Sequence, residues 1–433
     1  MKRGNVKVDS IVKLSEFIEK SISPFHTVMA AAGEFRQQGF EELEMCGKWN
    51  IKRGGKYYIK IYDSSVMAFT VGNVNGDIRL KLATAHTDFP CFKIKPNADL
   101  RENGYYKLNT EVYGGAILNT WMDRPLSIAG RVCVNDRQSG RIKSIPVDFK
   151  NPVLTIPNLA IHMNRNVNKG IELNKQKDML PLADIVSEQL GNTGFTDRLA
   201  EKTGVQKEDI LDYEMYIYQW EKGGYVGFDK TLYSSPRLDN ITSVCACTQA
   251  LIDAGIPDKG INAAVFFDNE EIGSRTKQGA ASNVLPMLIE KIIISLGKDR
   301  QSYLDAVLGG FMVSVDVAHA IHPNAPEKCD ISNKPILNGG TVIKIAANQS
   351  YAGDAMASSV MRMMADKSGT KYQTFVNRSD MQGGSTLGAI VSSGMPMRTI
   401  DIGIPLLAMH SARETMGADD QESLKKLLTC YFS

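Results

Sequence analysis

The sequence predicts an α/β fold, a mixed sheet sandwiched by helices, with a β-rich second domain inserted between the halves of the first. Two observations carry this. After residue 234, helical patterns at 241–254 and 283–296 alternate with uninterrupted apolar runs at 262–267 and 311–315. Strands without polar alternation are buried on both faces, so helices must cover both sides of their sheet. Between 91 and 234, in contrast, Gly, Asn and Pro punctuate short β-like stretches such as AGRVCV, KSIPVDF and NPVLTIP. The expected organisation is a first domain made of 1–90 and 235–433, split by an insert at 91–234.

Along the chain, Ile11, Leu14, Phe17 and Ile18 fall on one face of an N-terminal helix, with Asp9 or Ser10 as its cap. Met67–Val71 and Ile78–Ala85 read as strands joined through Asn75-Gly76, a hairpin signal. In the second, Arg79 and Lys81 alternate with Ile78, Leu80 and Leu82, so one face is expected to be half solvated. Within the insert, one helical segment is expected near Leu182–Leu190.

A chain of 433 residues is long enough for about two to three domains. Its 43% apolar and 23% charged residues are ordinary for a soluble globular protein. The net charge of +2 gives no reason to expect nucleic acid or a membrane as partner. No apolar run approaches the roughly 20 residues that span a bilayer, and the charged N-terminus does not read as a signal peptide. Seven scattered cysteines show no disulfide framework, and Cys245 and Cys247 suit a buried helix. A reducing, cytoplasmic setting is expected.

The chemistry lies where apolar runs end in polar residues. His86 and Asp88 follow the run ending at Ala85, and Asp239 precedes a helix. Glu270 and Glu271 follow AAVFF, Asp316 follows FMVSV, and His410 follows LLAM. In an open α/β sheet, residues just past the carboxyl ends of strands converge on one crevice. Two imidazoles and the carboxylates of Asp239, Glu271 and Asp316 carry a charge of about −3, which two divalent cations and a bridging hydroxide would neutralise. Nitrogen and oxygen donors without thiolate fit Zn²⁺, Co²⁺ or Mn²⁺. Adjacent residues point different ways, so one glutamate can bind metal while the other acts as general base. Asp88 is spaced to orient the His86 ring. Each element alone has a blander reading as surface pair, solvated edge or helix cap; together they point to a metal site.

The strings around these residues, TAHTDFP, YGGAILNTWMDRPLSIAGRV, SPRLDNITS, FDNEEIGS, VDVAHAIHPN, VIKIAANQSYA and LLAMHSARE, resemble peptidase family M18, the aspartyl aminopeptidases, from about residue 84 to 414. The resemblance implies a fold of zinc-exopeptidase type and a metal-dependent aminopeptidase that removes N-terminal residues from peptides, preferring Asp or Glu. It implies two metal ions, zinc first and cobalt or manganese as alternatives. His86 and Asp316 would hold one, Glu271 and His410 the other, with Asp239 bridging and Glu270 as base. Lys344, His319 and His322 would bind substrate, and His162 would reach a neighbouring subunit's site. The insert would serve dimerisation and cover the site, in a tetrahedral dodecamer. Pro125, in Asp-Arg-Pro, departs from the family's usual acidic residue and puts the local loop geometry in question. The glutamyl and deblocking aminopeptidases (family M42) and a non-catalytic assembly protein are the competing readings. Gly383-Gly384-Ser385-Thr386 lacks the phosphate-loop arrangement.

Overall fold

The computed structural model describes residues 4–188, 190–381 and 383–433, with burial and side chains from Ser10 onward. The chain divides into two compact units. One is formed by the chain up to Asp88 with Gly223–Met409 and Glu414–Ser433; the other by Phe89–Lys222 with His410–Arg413.

In the first unit, nine strands form one mixed sheet in the order Glu41–Glu42, Lys56–Ile61, Ser65–Val71, Ile261–Phe267, Leu80–His86, Phe311–Val315, Arg398–Gly403, Thr341–Ile345 and Tyr372–Val376. Ile261–Phe267 and Ser65–Val71 are buried at every position, as strands without alternation require. On one face Met67, Phe69, Leu82, Val265 and Phe267 pack with Leu285, Leu288, Ile289, Ile292 and Ile293 of the helix Val284–Ser295. The other face meets the C-terminal helix Asp420–Phe432, where Asn262 donates to the Phe432 carbonyl at 2.7 Å.

The expected hairpin does not form. Ile261–Phe267 lies between the two runs, antiparallel to Ser65–Val71 and parallel to Leu80–His86. Gly76 does take a left-handed turn conformation at φ 81°, but strands buried on both faces need a neighbour on each edge, and a distant segment supplies it. Nor is Leu80–His86 half solvated: Lys81 is only partly exposed, and its ammonium donates to the Tyr431 carbonyl at 2.7 Å.

The N-terminal helix runs Gly4–Lys20, so Asp9 and Ser10 lie inside it and do not cap it. The Ser10 hydroxyl instead bonds Glu422. Ile11, Leu14, Phe17 and Ile18 are all buried, as their spacing predicts. A smaller sheet orders Gly224–Val226, Leu232–Ser235, Glu414–Gly417, Pro405–Leu407 and Ala318–His319. Because Leu232–Ser235 pairs with Glu414–Gly417, the chain returns to the first unit at Gly223, some residues before the expected 235.

The second unit holds a six-stranded antiparallel sheet in the order Arg141–Asp148, Leu126–Asp136, Ile210–Gln219, Cys91–Glu102, Tyr105–Tyr113 and Leu182–Ile185. Leu182–Ile185 is an edge strand and not the expected helix; pairing with Tyr105–Lys107 overrides a modest helical propensity. The unit's α-helix is Phe195–Thr203, where Asp197 accepts the Gly194 N–H at 2.8 Å. Pro125 sits just before the strand Leu126–Asp136, and its carbonyl accepts the Trp220 N–H at 3.1 Å. A proline at that point removes no ladder donor.

Candidate metal centre

Leu80–His86, Ile261–Phe267 and Phe311–Val315 run parallel in the central sheet, so their carboxyl ends share one edge. His86 ends the first, Asp316 follows the third, and Glu270 and Glu271 form a short 3₁₀ turn after the second. Asp239 arrives from the start of the helix Leu238–Ala254, where Asp239 and Asn240 have non-helical backbone and the regular helix follows from Ile241. The main chain thus turns Asp239 toward the sheet edge.

His86 Nε2 lies 3.4 Å from Asp239 Oδ1 and 3.7 Å from Asp316 Oδ1. On the other side of the ring, Nδ1 meets the Asp88 carbonyl at 3.0 Å and its carboxylate at 3.3 Å. Nδ1 is thus taken up by Asp88, and Nε2 is the nitrogen aimed at the two aspartates. Asp88 does more: its Oδ1 and Oδ2 accept the backbone N–H groups of Glu270 at 3.2 Å and Glu271 at 3.1 Å. One carboxylate therefore orients both the histidine and the glutamate pair.

Ligand atoms of His86, Asp239 and Asp316 lie within 4.8 Å of one another, as do those of His86, Glu270 and Glu271. His86, Asp88 and Asp239 are almost fully buried. So many carboxylates in so dry a place are costly without cations, and the strain shows in their protonation. Burial pushes the Glu270 carboxyl up to about 8; His86 opposes this while Asp316, Asp88 and Asp239 add to it. Burial acts to lower the His86 pKa, but hydrogen bonding to Asp239, Asp316 and Asp88 outweighs it and holds the pKa well above the ordinary imidazole value. Burial would raise Asp316, yet Lys344 and His86 keep it below the usual carboxylate range. A buried cluster of oxygen and nitrogen donors with no thiol and excess negative charge fits a divalent ion.

Lys344 is buried beside this cluster, its ammonium donating to Asp316 Oδ2 at 3.2 Å and to the Val317 carbonyl at 3.0 Å. His319 is exposed at the end of a two-residue strand, its ring 5.8 Å from that of Phe375. His322 is exposed, and its Nδ1 accepts the Asn324 N–H at 3.2 Å. In the second unit, His162 lies exposed in a turn, and His410 has its Nδ1 3.2 Å from the Gly115 carbonyl. His26, given no role from sequence, pairs with Ser23, the N-cap of the helix Pro24–Gln37.

Glu414, Asp268 and Asp401 are buried acids that the sequence reading did not single out. Glu414, in MHSARE, accepts the Asp239 N–H at 3.0 Å. Asp268 accepts the Asn269 N–H at 2.7 Å, and burial raises its carboxyl to about 7. Asp401 stands opposite Lys344 in the strand ladder. A signal existed for Asp401: it interrupts the apolar run Ile400–Ile404.

A central α/β sheet whose strand ends gather one imidazole and several carboxylates defines a metallohydrolase-type centre. Residues 17–432 match the family model for aminopeptidase I zinc metalloproteases (M18), and the chain belongs to that family. "Probable M18 family aminopeptidase 2" of Clostridium novyi (strain NT) is 46% identical over 419 residues, covering 96% of each chain. Among solved structures, one of the Ape4 and Nbr1 complex superposes with a TM-score of 0.95 at 32% identity, covering 99% of this chain and 87% of that one. The S. cerevisiae mApe1 dodecamer superposes at 0.85 with 25% identity, over 99% and 97% of the two chains. Among the described residues no helix is long and apolar enough to cross a membrane.

Proposed function

We propose that this chain is a two-metal aminopeptidase that removes single N-terminal residues from peptides, with a preference for Asp and Glu. The observation that supports it best is the convergence of His86, Asp239, Asp316, Glu270 and Glu271 at one sheet edge in an M18 chain. His86 and Asp316 would hold one ion, Glu271 and His410 the second, and Asp239 would bridge; His410 rests on the family string it belongs to. Divalent ions bound there, zinc first and cobalt or manganese as alternatives, supply a polarised carbonyl oxygen and an acidic water. Glu270 takes the proton of the attacking water and returns it to the leaving amine. Asp88 keeps His86 and Glu270 aimed at the same point through the contacts described above.

Lys344 spends two of its three ammonium donors on Asp316 and Val317. The third is assigned to the acidic side chain of the substrate's first residue, with His319 and His322 at the same site. The insert is assigned to dimerisation and to covering the site, and His162 to a neighbouring subunit's site. The likeness to the mApe1 dodecamer supports a homo-oligomer, proposed as a tetrahedral dodecamer. Among the described residues the cysteines form no disulfide, and a reducing, cytoplasmic setting is assigned on that chemistry.

The test compares Asp, Glu and Leu release from unblocked peptides with release from their N-acetylated forms. Fast release of acidic residues from free N-termini alone is the expected result. Cleavage favouring blocked substrates would place the chain's activity with the deblocking enzymes.

A further inference from the structure

A carboxylate in the middle of a buried apolar strand needs a reason, and Asp401 is such a carboxylate. It is fully buried between Ile400 and Ile402, which are buried as well. Its Oδ2 accepts the Ala352 N–H at 2.6 Å. In the antiparallel pair of Thr341–Ile345 with Arg398–Gly403, Asp401 is the direct partner of Lys344, so both side chains stand on the same face of the sheet. The Lys344 ammonium reaches past this pairing to Asp316 Oδ2 and the Val317 carbonyl, and lies 5.0 Å from the centre of the Tyr351 ring.

The two oxygens of Asp316 are thereby divided. Oδ2 is tied to Lys344, while Oδ1 faces His86 Nε2 at 3.7 Å. An ammonium beside a divalent-cation site is unfavourable by itself, because the like charges repel. Once Asp316 gives its charge to a metal ion, Lys344 needs a second counter-charge. Asp401, placed opposite and away from the ligand cluster, supplies it. Stability is a weak explanation for placing these two charges inside the fold, since buried charges of opposite sign are often no better than apolar residues of similar volume.

We infer that Asp401 is a positioning residue for the metal centre: it holds the Lys344 ammonium on Asp316 Oδ2, so that Asp316 presents Oδ1 alone to the ion. This rests on the functional reading above, in which Asp316 and His86 hold an ion. Asp401 touches neither ion nor substrate and acts only through Lys344.

The test is a metal dissociation constant, measured by chelator competition without substrate, for the full-length protein and the variants Asp401→Asn, Lys344→Met and the double variant. Asp401→Asn is expected to weaken zinc binding about 10- to 100-fold, as loss of an outer support for a ligand does. In the Lys344→Met background the same change is expected to add nothing, because the two act as one unit. Unchanged affinity in Asp401→Asn, or an equal loss in both backgrounds, would overturn the inference. Should Asp401→Asn fail to fold, the double variant removes the ammonium and the carboxylate opposite it together; its affinity should then equal that of Lys344→Met, and a weaker value would overturn the inference. A parent protein that binds no metal would sink the functional reading and this inference with it.

Discussion

Asp88 accepts the backbone N–H of Glu270 at 3.2 Å while the same side chain lies 3.3 Å from His86 Nδ1. Glu270 and His86, the proposed general base and metal ligand, are therefore oriented by one carboxylate, which is itself fully buried. In Asp88→Asn one acceptor oxygen is replaced by a donor, so one of the N–H groups of Glu270 and Glu271 loses its partner. A buried donor left unpaired costs about 1–3 kcal/mol. We expect that loss in thermal or denaturant unfolding, together with a fall of about 100-fold or more in kcat/KM.

Glu270 carries the proton in this account. Glu270→Gln should retain the metal content of the parent and lose roughly 10²- to 10⁴-fold in kcat. Metal analysis and steady-state kinetics on the same preparation check this, and near-normal turnover would remove Glu270 from the role.

Protonation of the metal-free cluster sets a pH dependence. Burial pushes the Glu270 carboxyl up to about 8 in the folded chain, from an ordinary 4.5. A raised carboxyl contributes stability that is complete below about 4.5 and is lost as pH rises through about 8. Bound cations remove that loss by favouring the carboxylate. The melting temperature of metal-loaded over metal-free protein should therefore widen as pH rises from 5 to 8. Zinc binding should release protons over the same range, which calorimetry in two buffers of different ionisation enthalpy reads directly. A gap that narrows with rising pH would contradict the assignment.

How much of this was readable beforehand depended on what each residue needed. His86, Glu271 and Asp316 were legible because each follows an apolar run, and parallel strands align such ends without further information; Asp239 stood out only as an acid at the start of a helix. The pairing of Ser65–Val71 with Ile261–Phe267 was not legible, since the two segments lie far apart and Asn75-Gly76 offered a local alternative. The edge strand Leu182–Ile185 was read as helix for the same reason, its partner being tertiary. Lys344 was singled out through the family resemblance of its string, but its two internal bonds became visible only when Asp316 and Val317 were placed beside it. Glu414 gave no signal, because only the folded chain brings it to the Asp239 N–H.

Lys344 also makes a prediction on specificity. With metal saturating, Lys344→Met should lower kcat/KM for Asp- and Glu-peptides relative to Leu-peptides by roughly 10- to 100-fold, the worth of a charged hydrogen bond. An unchanged ratio would assign the preference to other residues.

Close packing around Asp316 gives a further test. A Cβ on Gly403 would lie 1.7 Å from the Asp316 carbonyl oxygen. Gly403→Ala must shift one of two neighbouring strands and should cost roughly 1–3 kcal/mol, as overpacking does. Stability against unfolding and zinc affinity should both fall; a loss of stability with affinity intact would show that Asp316 tolerates the shift.

The most direct test of the central claim is hydrolysis of an unblocked Asp-peptide by the intact protein before chelation, after it, and after return of Zn²⁺, Co²⁺ or Mn²⁺. The account predicts release of free Asp that chelation abolishes and metal restores. Release that continues undiminished after the metal has been removed would contradict it.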